Sequence, residues 1–240
     1  MRPKHMHRLE KCLLRDGTQL HLFLVKQPGE QSKKVPTVLY FHGNAGNIGH
    51  RLLNVQGLYT SIGCNVALVE YRGYGRSEGS PSEEGLYMDA QAALDFLVTR
   101  QDIATDKIVV FGRSLGGAVA VDLATRAANK DSIAALMLEN TFTSIPDIAR
   151  ILFPFKLIQC LPVWFYKNQF KSHRKACRIT QPSLFLSGLA DKLIPPQMMN
   201  DLYITCGAPV KKVCEKGTGP NPSSFINLLI SACKVSRRVS

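Results

Sequence analysis

Short apolar segments recur along this sequence, and glycine, proline or charged residues bound each of them. Their residues do not alternate between apolar and polar, as they would in a strand with one face in water. Uninterrupted runs of this length are typical of strands buried on both faces, as in a parallel sheet. The pattern predicts such strands over five segments: Pro36–Phe41, Asn65–Glu70, Lys107–Phe111, Ala134–Leu138 and Pro182–Ser187.

Helical patterns lie between these strands. The segment Ser82–Leu97 places two acids in a first turn and continues with apolar residues at helical spacing, and Ser114–Leu123 has a similar apolar spacing. Near the N-terminus, Asp16-Gly17 separates the apolar-rich runs Leu9–Leu14 and Gln19–Val25, which predicts a β-hairpin. The alternation of strands and helices predicts an α/β fold, with a mostly parallel central sheet and helices on both faces.

One insertion interrupts this alternation. The segment Thr141–Thr180 separates two predicted strands, and we interpret it as a short cap over the sheet. No internal repeat or low-complexity tract divides the chain. We therefore predict a single domain over residues 1–240, with the cap at 141–180.

Positive charge is unevenly placed in this chain, whose formal net charge is +12. Between Arg150 and Ala190 there is no Asp or Glu, but seven Lys and Arg residues are interleaved with aromatic ones. Such a segment suits an anionic membrane surface or a negatively charged substrate. A solvated, basic lid over an apolar pocket is the alternative. Nucleic-acid binding is not expected, because no nucleic-acid motif accompanies the charge.

Composition excludes several other classes of protein. Hydrophobic residues make up 45% of the chain and charged residues 20%, as in ordinary globular domains. No apolar run reaches the roughly 18–20 residues that cross a bilayer, and Met1–Arg8 lacks the apolar core of a secretory signal. The seven cysteines are scattered without a C-x-x-C pair, which indicates reduced thiols. We expect a soluble, intracellular chain with no metal and no cofactor.

The most informative motif is G-x-S-x-G, which occurs as Gly112-Arg113-Ser114-Leu115-Gly116 between a predicted strand and a predicted helix. In a nucleophile elbow, a tight turn lifts the serine hydroxyl above the sheet, and the flanking glycines let the backbone pass without Cβ clashes. The helix that follows directs its first amides and its positive end at a developing oxyanion. Ser114 is therefore the predicted nucleophile. A glycine-rich turn without chemistry is the alternative.

A second glycine-rich loop, His42-Gly43-Asn44, follows the first central strand. Folds with a nucleophile elbow take their other oxyanion amide from this position. We predict an oxyanion hole formed by the backbone amides of Asn44 and Leu115, with His42 bracing the loop through a hydrogen bond and not acting as the base. A helix-capping turn is the alternative for this loop.

The acid of a catalytic triad is expected just past a later strand, where Asp191 lies. It would orient an imidazole and stabilise the imidazolium. Glu139, which also ends a strand, is the alternative acid. The six histidines of the chain all precede Asp191, so the usual chain order Ser, Asp, His is incomplete. His173 in the basic cap is the alternative base.

Four motifs carry a family resemblance: His42–Arg51, Tyr71–Gly79, Gly112–Gly117 and Glu139–Phe142. They resemble the alpha/beta hydrolase domain-containing proteins, and more widely the serine aminopeptidase (S33)-like family, over Leu9–Lys216. The resemblance implies the α/β-hydrolase fold and a serine hydrolase of acyl esters or thioesters, with protein depalmitoylation as the narrower activity. It also implies membrane association, because relatives carry an N-terminal hydrophobic segment that is lacking here.

By position, Ser114 matches the family nucleophile and Asp191 the family acid. Relatives place the base in a Gly-Thr-His turn after the last strand, whereas here Gly217-Thr218 is followed by Gly219. From 219 to 240 the tail does not resemble the family. We interpret this divergence as an alternative exon or a faulty gene model, and a deliberately inactive variant is the other explanation.

Two functions remain open from the sequence. The first is a serine hydrolase that acts on an acyl-bearing lipid, thioester or acylated protein through an acyl-enzyme. The second is a non-catalytic binding module, or a truncated isoform, that keeps the pocket and the basic cap. Because a serine hydroxyl without a base is a poor nucleophile, we expect little turnover from the chain as given.

Overall fold

A single sheet organises the computed structural model, which describes residues 7–14, 16–44, 54–153, 161–191 and 193–216. In these ranges the sheet has eight strands in the order β1-β2-β4-β3-β5-β6-β7-β8. The strands β1 and β2, and likewise β2 and β4, pair antiparallel, and all other neighbours are parallel. The strands are β1 (His7–Leu13), β2 (Gln19–Val25), β3 (Thr37–Phe41), β4 (Asn65–Glu70), β5 (Ile108–Arg113), β6 (Ala135–Glu139), β7 (Ser183–Gly188) and β8 (Lys211–Lys216).

The longer helices follow the strands, as the sequence pattern predicts. The first has Ser82 as its N-cap, and the Ser82 hydroxyl accepts a hydrogen bond from the amide of Gly85 at 3.1 Å. Shorter helical turns occur at Gly29–Lys33, Leu58–Ile62, Thr105–Lys107, Ala127–Asn129 and Val163–Phe165. The α-helices are α1 (Glu83–Val98), α2 (Leu115–Ala124), α3 (Ile145–Leu152), α4 (Ser172–Ala176) and α5 (Pro196–Thr205).

Side chains of alternate residues in the buried strands pack into two separate hydrophobic cores, one on each face of the sheet. On one face Leu39 and Phe41 pack with residues of α1, α2 and α5, and on the other face Val38 and Tyr40 pack with Val55 and others from the helical segment before β4. Both faces of the central strands are therefore covered by helices. This confirms the predicted α/β-hydrolase fold with a mostly parallel sheet, and explains why its strands lack polar alternation.

The segment between β6 and β7 contains α3, the turn at Val163–Phe165 and α4. The predicted cap occupies this segment, although residues 154–160 lie outside the described ranges. Helix α3 begins with Ser144 as N-cap, whose hydroxyl accepts from the amide of Asp147 at 3.2 Å. No helix within the described part of the chain is long and apolar enough to cross a membrane.

Candidate active site

The carboxyl ends of four neighbouring parallel strands meet at one edge of the sheet. In the strand register, Phe41 pairs with Gly112, Arg113 with Glu139, and Glu139 with Leu186. The loops that follow β3, β5, β6 and β7 therefore emerge side by side. In open α/β sheets this edge is where ligands bind.

Ser114 connects β5 to α2 in a backbone conformation that residues other than glycine rarely adopt. Its φ is 53° and its ψ is −121°. A residue other than glycine in such a region costs about 1–3 kcal/mol and persists only where its surroundings hold it. Here the amide of Ser114 donates to the carbonyl of Glu139 at 3.0 Å, and the carbonyl of Ser114 accepts from the amide of Gly117 at 2.9 Å. Strand β6 and helix α2 thus fix the turn.

The glycines around Ser114 occupy positions without room for a side chain. A Cβ atom on Gly112 would lie 2.3 Å from the carbonyl oxygen of Gly116, and one on Gly117 would lie 2.4 Å from the side chain of Thr141. A Cβ atom on Gly43 would lie 3.2 Å from Cβ of Ser114 and 3.7 Å from its Oγ. Gly43 therefore brings the loop after β3 directly beside the predicted nucleophile.

The two residues predicted to supply the oxyanion amides line one cavity with Ser114. Leu115 is the first residue of α2, and the first amides of a helix have no acceptor within that helix. The side-chain oxygen of Asn44 accepts a hydrogen bond from the hydroxyl of Tyr74. Burial raises the pKa of Tyr74, which keeps this hydroxyl protonated as a donor. Asn44 is thus held at the rim of the cavity.

His42 is fully buried beneath this loop. Its Nδ1 lies 2.8 Å from the carbonyl oxygen of Gly43, and because a carbonyl only accepts, Nδ1 is the protonated nitrogen. The hydroxyl of Tyr71 donates to the carbonyl of His42 at 3.0 Å, and the two rings lie 4.7 Å apart. These contacts connect His42 to the loop backbone and to β4.

Asp191 follows β7, and its carboxylate is held by three donors. The Oδ1 atom accepts from the amides of Leu193 at 2.8 Å and Ile194 at 3.0 Å. The Oδ2 atom accepts from Nδ2 of Asn140 at 2.7 Å. These three hydrogen bonds fix the orientation of the carboxylate.

Asn140 lies within the motif Glu139–Phe142, which carries part of the family resemblance, but the sequence analysis assigned it no role. It follows β6, so it lies between the elbow after β5 and the acid after β7. Its φ of 41° is also in the left-handed region. Asparagine tolerates this region better than most residues, but neither this tendency nor the motif identifies a partner.

The alternative acid and the alternative base lie elsewhere. The carboxylate of Glu139 faces Arg113, with 4.0 Å between Oε2 and Nε. His173 donates from Nδ1 to the carbonyl of Thr143 at 3.2 Å and lines a separate depression of about 410 Å³. Among the described residues, no histidine lines the cavity at Ser114. Gly219, the position at which the family resemblance implies the base, and the rest of the tail lie outside the described ranges.

The cavity at Ser114 has a volume of about 490 Å³. This size is within the range of about 300–1,000 Å³ typical of small-molecule sites. Most of its walls are apolar, and one side is formed by residues of the segment 141–180, which was predicted to be a cap. Apart from Ser114, its lining residues are Asn44, Tyr74, Pro81, Ser82, Leu86, Leu115, Phe142, Ile145, Tyr166, Lys167, Asn168 and Phe170.

Within the described ranges, no group of three or more His, Cys, Asp or Glu side chains is arranged to hold a metal ion.

Comparison with known proteins places these features in a family. A family model described as "alpha/beta hydrolase fold" matches residues 36–167. Protein bem46 of Schizosaccharomyces pombe is 44% identical over 202 residues, or 82% of this chain and 65% of that protein. The alpha/beta hydrolase domain-containing protein WAV2 of Arabidopsis thaliana is 46% identical, over 80% of this chain and 64% of that protein. The chain thus spans just under two thirds of the length of these two relatives.

A third relative is matched over more of its length. The uncharacterized membrane protein YNL320W of Saccharomyces cerevisiae is 38% identical over 213 residues, or 87% of this chain and 72% of that protein.

Solved structures agree with the fold. An alpha-beta hydrolase from Vibrio vulnificus aligns with a TM-score of 0.75 and 21% identity, covering 95% of this chain and 81% of that one. The Pyrococcus furiosus esterase Pf2001 aligns with a TM-score of 0.73 and 17% identity, covering 95% and 90%. The family model, which matches more than half of the sequence, and the relatives together show that this chain belongs to the α/β-hydrolase family.

Proposed function

We propose that this protein derives from a serine hydrolase of acyl esters or thioesters, with Ser114 as its nucleophile. The observation that carries the proposal is the strained Ser114 turn, which opens into an apolar cavity of about 490 Å³. A left-handed serine between a parallel strand and a helix has a conformational cost that a purely structural turn could avoid with glycine. The apolar lining favours an acyl chain as the part of the substrate that is bound.

The reaction would proceed through an acyl-enzyme. Oγ of Ser114 forms a bond to the acyl carbon as its proton passes to a base, and the amides of Leu115 and Asn44 stabilise the oxyanion. The C–O or C–S bond to the leaving group then breaks, and the alcohol or thiol takes that proton. Water then attacks the acyl carbon as its proton passes to the base. The bond to Oγ of Ser114 breaks, Oγ takes that proton, and the carboxylic acid is released. Asp191 would orient the base.

The presence or absence of a catalytic base distinguishes the two candidate functions, a serine hydrolase and a non-catalytic binding module. The sequence has no histidine after Asp191, and Gly219 stands at the position where the family resemblance implies one. Removing the base from a comparable triad enzyme lowers kcat by about 10⁶-fold. A non-catalytic module that binds acyl groups is therefore the second candidate for the chain as given, and protein depalmitoylation is the activity we propose for a histidine-complete form.

We also propose that the acyl substrate is met at an anionic membrane surface. The cap exposes aromatic side chains, with Phe153 50% and Phe165 65% exposed. The exposed Lys167 lies two residues beyond Phe165 and also lines the cavity at Ser114. Apolar side chains beside cations are what an anionic lipid surface attracts.

A fluorophosphonate probe tests the nucleophile directly. Attack by Oγ on phosphorus displaces fluoride, and intact-protein mass spectrometry measures the adduct. We expect slow labelling of the chain as given, faster labelling when free imidazole is added as a base, and none in Ser114→Ala. Imidazole-dependent labelling that persists in Ser114→Ala would refute the assignment of the nucleophile.

A further inference from the structure

The end of β6 contacts both halves of the candidate site. Strand β6 lies between β5, which leads to Ser114, and β7, which leads to Asp191. The two residues that follow it are Asn140 and Thr141. One of them bonds to the acid loop, and the other bonds to the elbow.

The side-chain amide of Asn140 forms two hydrogen bonds to the acid loop, defined here as the segment from Gly188, at the end of β7, to Asp191. Its Nδ2 donates to Oδ2 of Asp191 at 2.7 Å, and its Oδ1 accepts from the amide of Gly188 at 2.7 Å. The backbone amide of Asn140 also donates to the carbonyl of Leu186, at 3.1 Å. The side chain is thus fixed in one orientation, because a backbone amide only donates and an ionised carboxylate only accepts.

The spacing around Asn140 leaves little freedom for this contact. A Cβ atom on Gly188 would lie 2.9 Å from Nδ2 of Asn140, so the acid loop approaches the amide closely. The backbone of Asn140 is held at φ 41°, which aims its side chain across to β7 at a conformational cost. An aspartate would fit the same space but could not donate to Asp191 when ionised.

Thr141 makes the matching contact to the nucleophile. Its Oγ1 donates to the carbonyl oxygen of Ser114 at 2.6 Å, and its amide donates to the sulfur of Met199 in α5 at 3.2 Å. Gly117 leaves room for this side chain, since a Cβ atom there would overlap it. The Ser114 turn and the Asp191 carboxylate are therefore tied to consecutive residues.

We infer that Asn140 is a positioning residue that sets Asp191 relative to Ser114, acting with Thr141 as a two-residue bridge from the end of β6. The inference rests on the proposed function, because the spacing matters only if a base is oriented between the acid and the nucleophile. Asn140 acts through Asp191 and does not touch the reacting atoms.

The test uses the chain as it exists, with free imidazole supplied as the base. The rate of fluorophosphonate labelling at Ser114 is measured against imidazole concentration from pH 6 to 8.5 in the parent and three variants, Asn140→Asp, Asn140→Ala and Asp191→Ala. Thermal unfolding of each variant checks that the fold is kept. Rates are expressed as a ratio to the parent at the same pH, which cancels the titration of imidazole itself.

We expect Asn140→Asp to lower the imidazole-dependent rate about tenfold near pH 8, since misplacement by ~1 Å can cost ~10²-fold. Two adjacent carboxylates favour sharing a proton, which restores a donor to Asp191, so the ratio should rise as the pH falls. Asn140→Ala should lower the rate at every pH, and Asp191→Ala should lower it at least as far.

Three results would overturn the inference, and they are distinguishable. Equal rates in the parent and both Asn140 variants, with Asp191→Ala impaired, would show that Asp191 acts without this support and would leave the proposed function intact. A parent that shows no imidazole-dependent labelling at Ser114 would refute the proposed function, and the inference with it. A pH-independent loss in Asn140→Asp equal to that in Asn140→Ala would reduce Asn140 to a structural role.

Discussion

The backbone of Gly116 lies against the carbonyl oxygen of Phe41, so that a Cβ atom on this glycine would come within 2.0 Å of that oxygen. Gly116 is in the first turn of α2, and Phe41 is the last residue of β3. This contact brings the loop at Gly43 and Asn44 next to Ser114. The second glycine of the G-x-S-x-G motif therefore sets the distance between the two parts of the predicted oxyanion hole.

We predict that Gly116→Ala destabilises the protein by about 1–3 kcal/mol, the usual cost of inserting a methyl group into a closed space. The atoms nearest to such a Cβ are backbone atoms of Phe41 and His42, so no flexible side chain can move aside. The measurement is the midpoint of urea unfolding, together with the rate of imidazole-dependent probe labelling.

Gly57→Ala is the matched control. Gly57 has right-handed helical backbone angles, and a Cβ atom there would meet nothing within 4 Å. Alanine at such a position stabilises by roughly 0.4–1 kcal/mol. If Gly116→Ala were as stable as Gly57→Ala and labelled at the parent rate, the close packing of α2 against β3 would be wrong.

The second prediction concerns the missing base. Gly219→His should give partial rescue of p-nitrophenyl acetate hydrolysis, because Pro220 and the divergent tail are expected to hold the imidazole at an unfavourable angle. Replacing residues 217–240 with the corresponding tail of the Schizosaccharomyces pombe relative should rescue more. Initial rates of the three proteins, each beside its Ser114→Ala version, give the comparison.

Activity of the chain as given that matches the tail-replaced protein would contradict this ordering. It would mean that a base other than the family histidine serves Ser114. His173 would then be the first residue to replace, although it lines a different depression.

The third prediction concerns the acyl chain. Ile145 lines the cavity at Ser114 from the first turn of α3, and a tryptophan there would reduce the volume of about 490 Å³. In the histidine-complete form, Ile145→Trp should lower kcat/KM for an octanoyl ester about tenfold or more and change that for an acetyl ester less. A missing methylene in an apolar pocket is already worth ~10-fold or more in discrimination.

Ile204→Trp serves as the control for this prediction. Ile204 lies on α5, is 66% exposed and does not line the cavity, so the ratio of the two esters should not change. An unchanged ratio in Ile145→Trp would place the acyl chain outside this cavity.

The fourth prediction concerns the cap. The parent should sediment with vesicles of mixed phosphatidylcholine and phosphatidylserine, and less so as salt rises, because surface charges are screened over about 8–10 Å at 0.1–0.15 M salt. Phe165→Ser combined with Lys167→Glu should weaken this binding. Ile204→Ser removes an exposed apolar side chain outside the cap and should not. Equal binding of the parent to purely phosphatidylcholine vesicles would show that the charge has no part in it.

The central strands and the elbow could be predicted because their signals are local. The buried strands need apolar residues on both faces, and the elbow requires glycines at fixed spacing from Ser114. The predicted strands and the hairpin at Asp16-Gly17 are confirmed. The helix that was predicted to start at Ser114 starts one residue later, at Leu115, and Ser114 is its N-cap.

Strand β8 could not be recognised in the same way. Its sequence, Lys211–Lys216, is mostly charged and carries no apolar run, because it pairs with β7 on one side only in the described part of the sheet. Strands at a sheet edge are often rich in charge, and charge is also the signature of a loop. Pairing with β7, a contact distant in sequence, decides its structure.

The contact between Asn140 and Asp191 was missed for a similar reason. The two residues are 51 positions apart and meet only because β6 and β7 are neighbours in the sheet. In the sequence, Asn140 is a polar residue after a predicted strand, within the motif Glu139–Phe142, and nothing there indicates its partner. Its left-handed backbone and its two amide contacts are properties of the folded chain.

The backbone angles of Ser114 have a conformational cost, which lowers the stability of the folded chain at the position of the predicted nucleophile. Glycine adopts φ 53° without steric cost, so Ser114→Gly should fold into the same turn and raise the melting temperature. A lineage that no longer used the hydroxyl would gain from that replacement. The proposed role of the Ser114 hydroxyl as a nucleophile would explain why serine stands at this position despite its conformational cost.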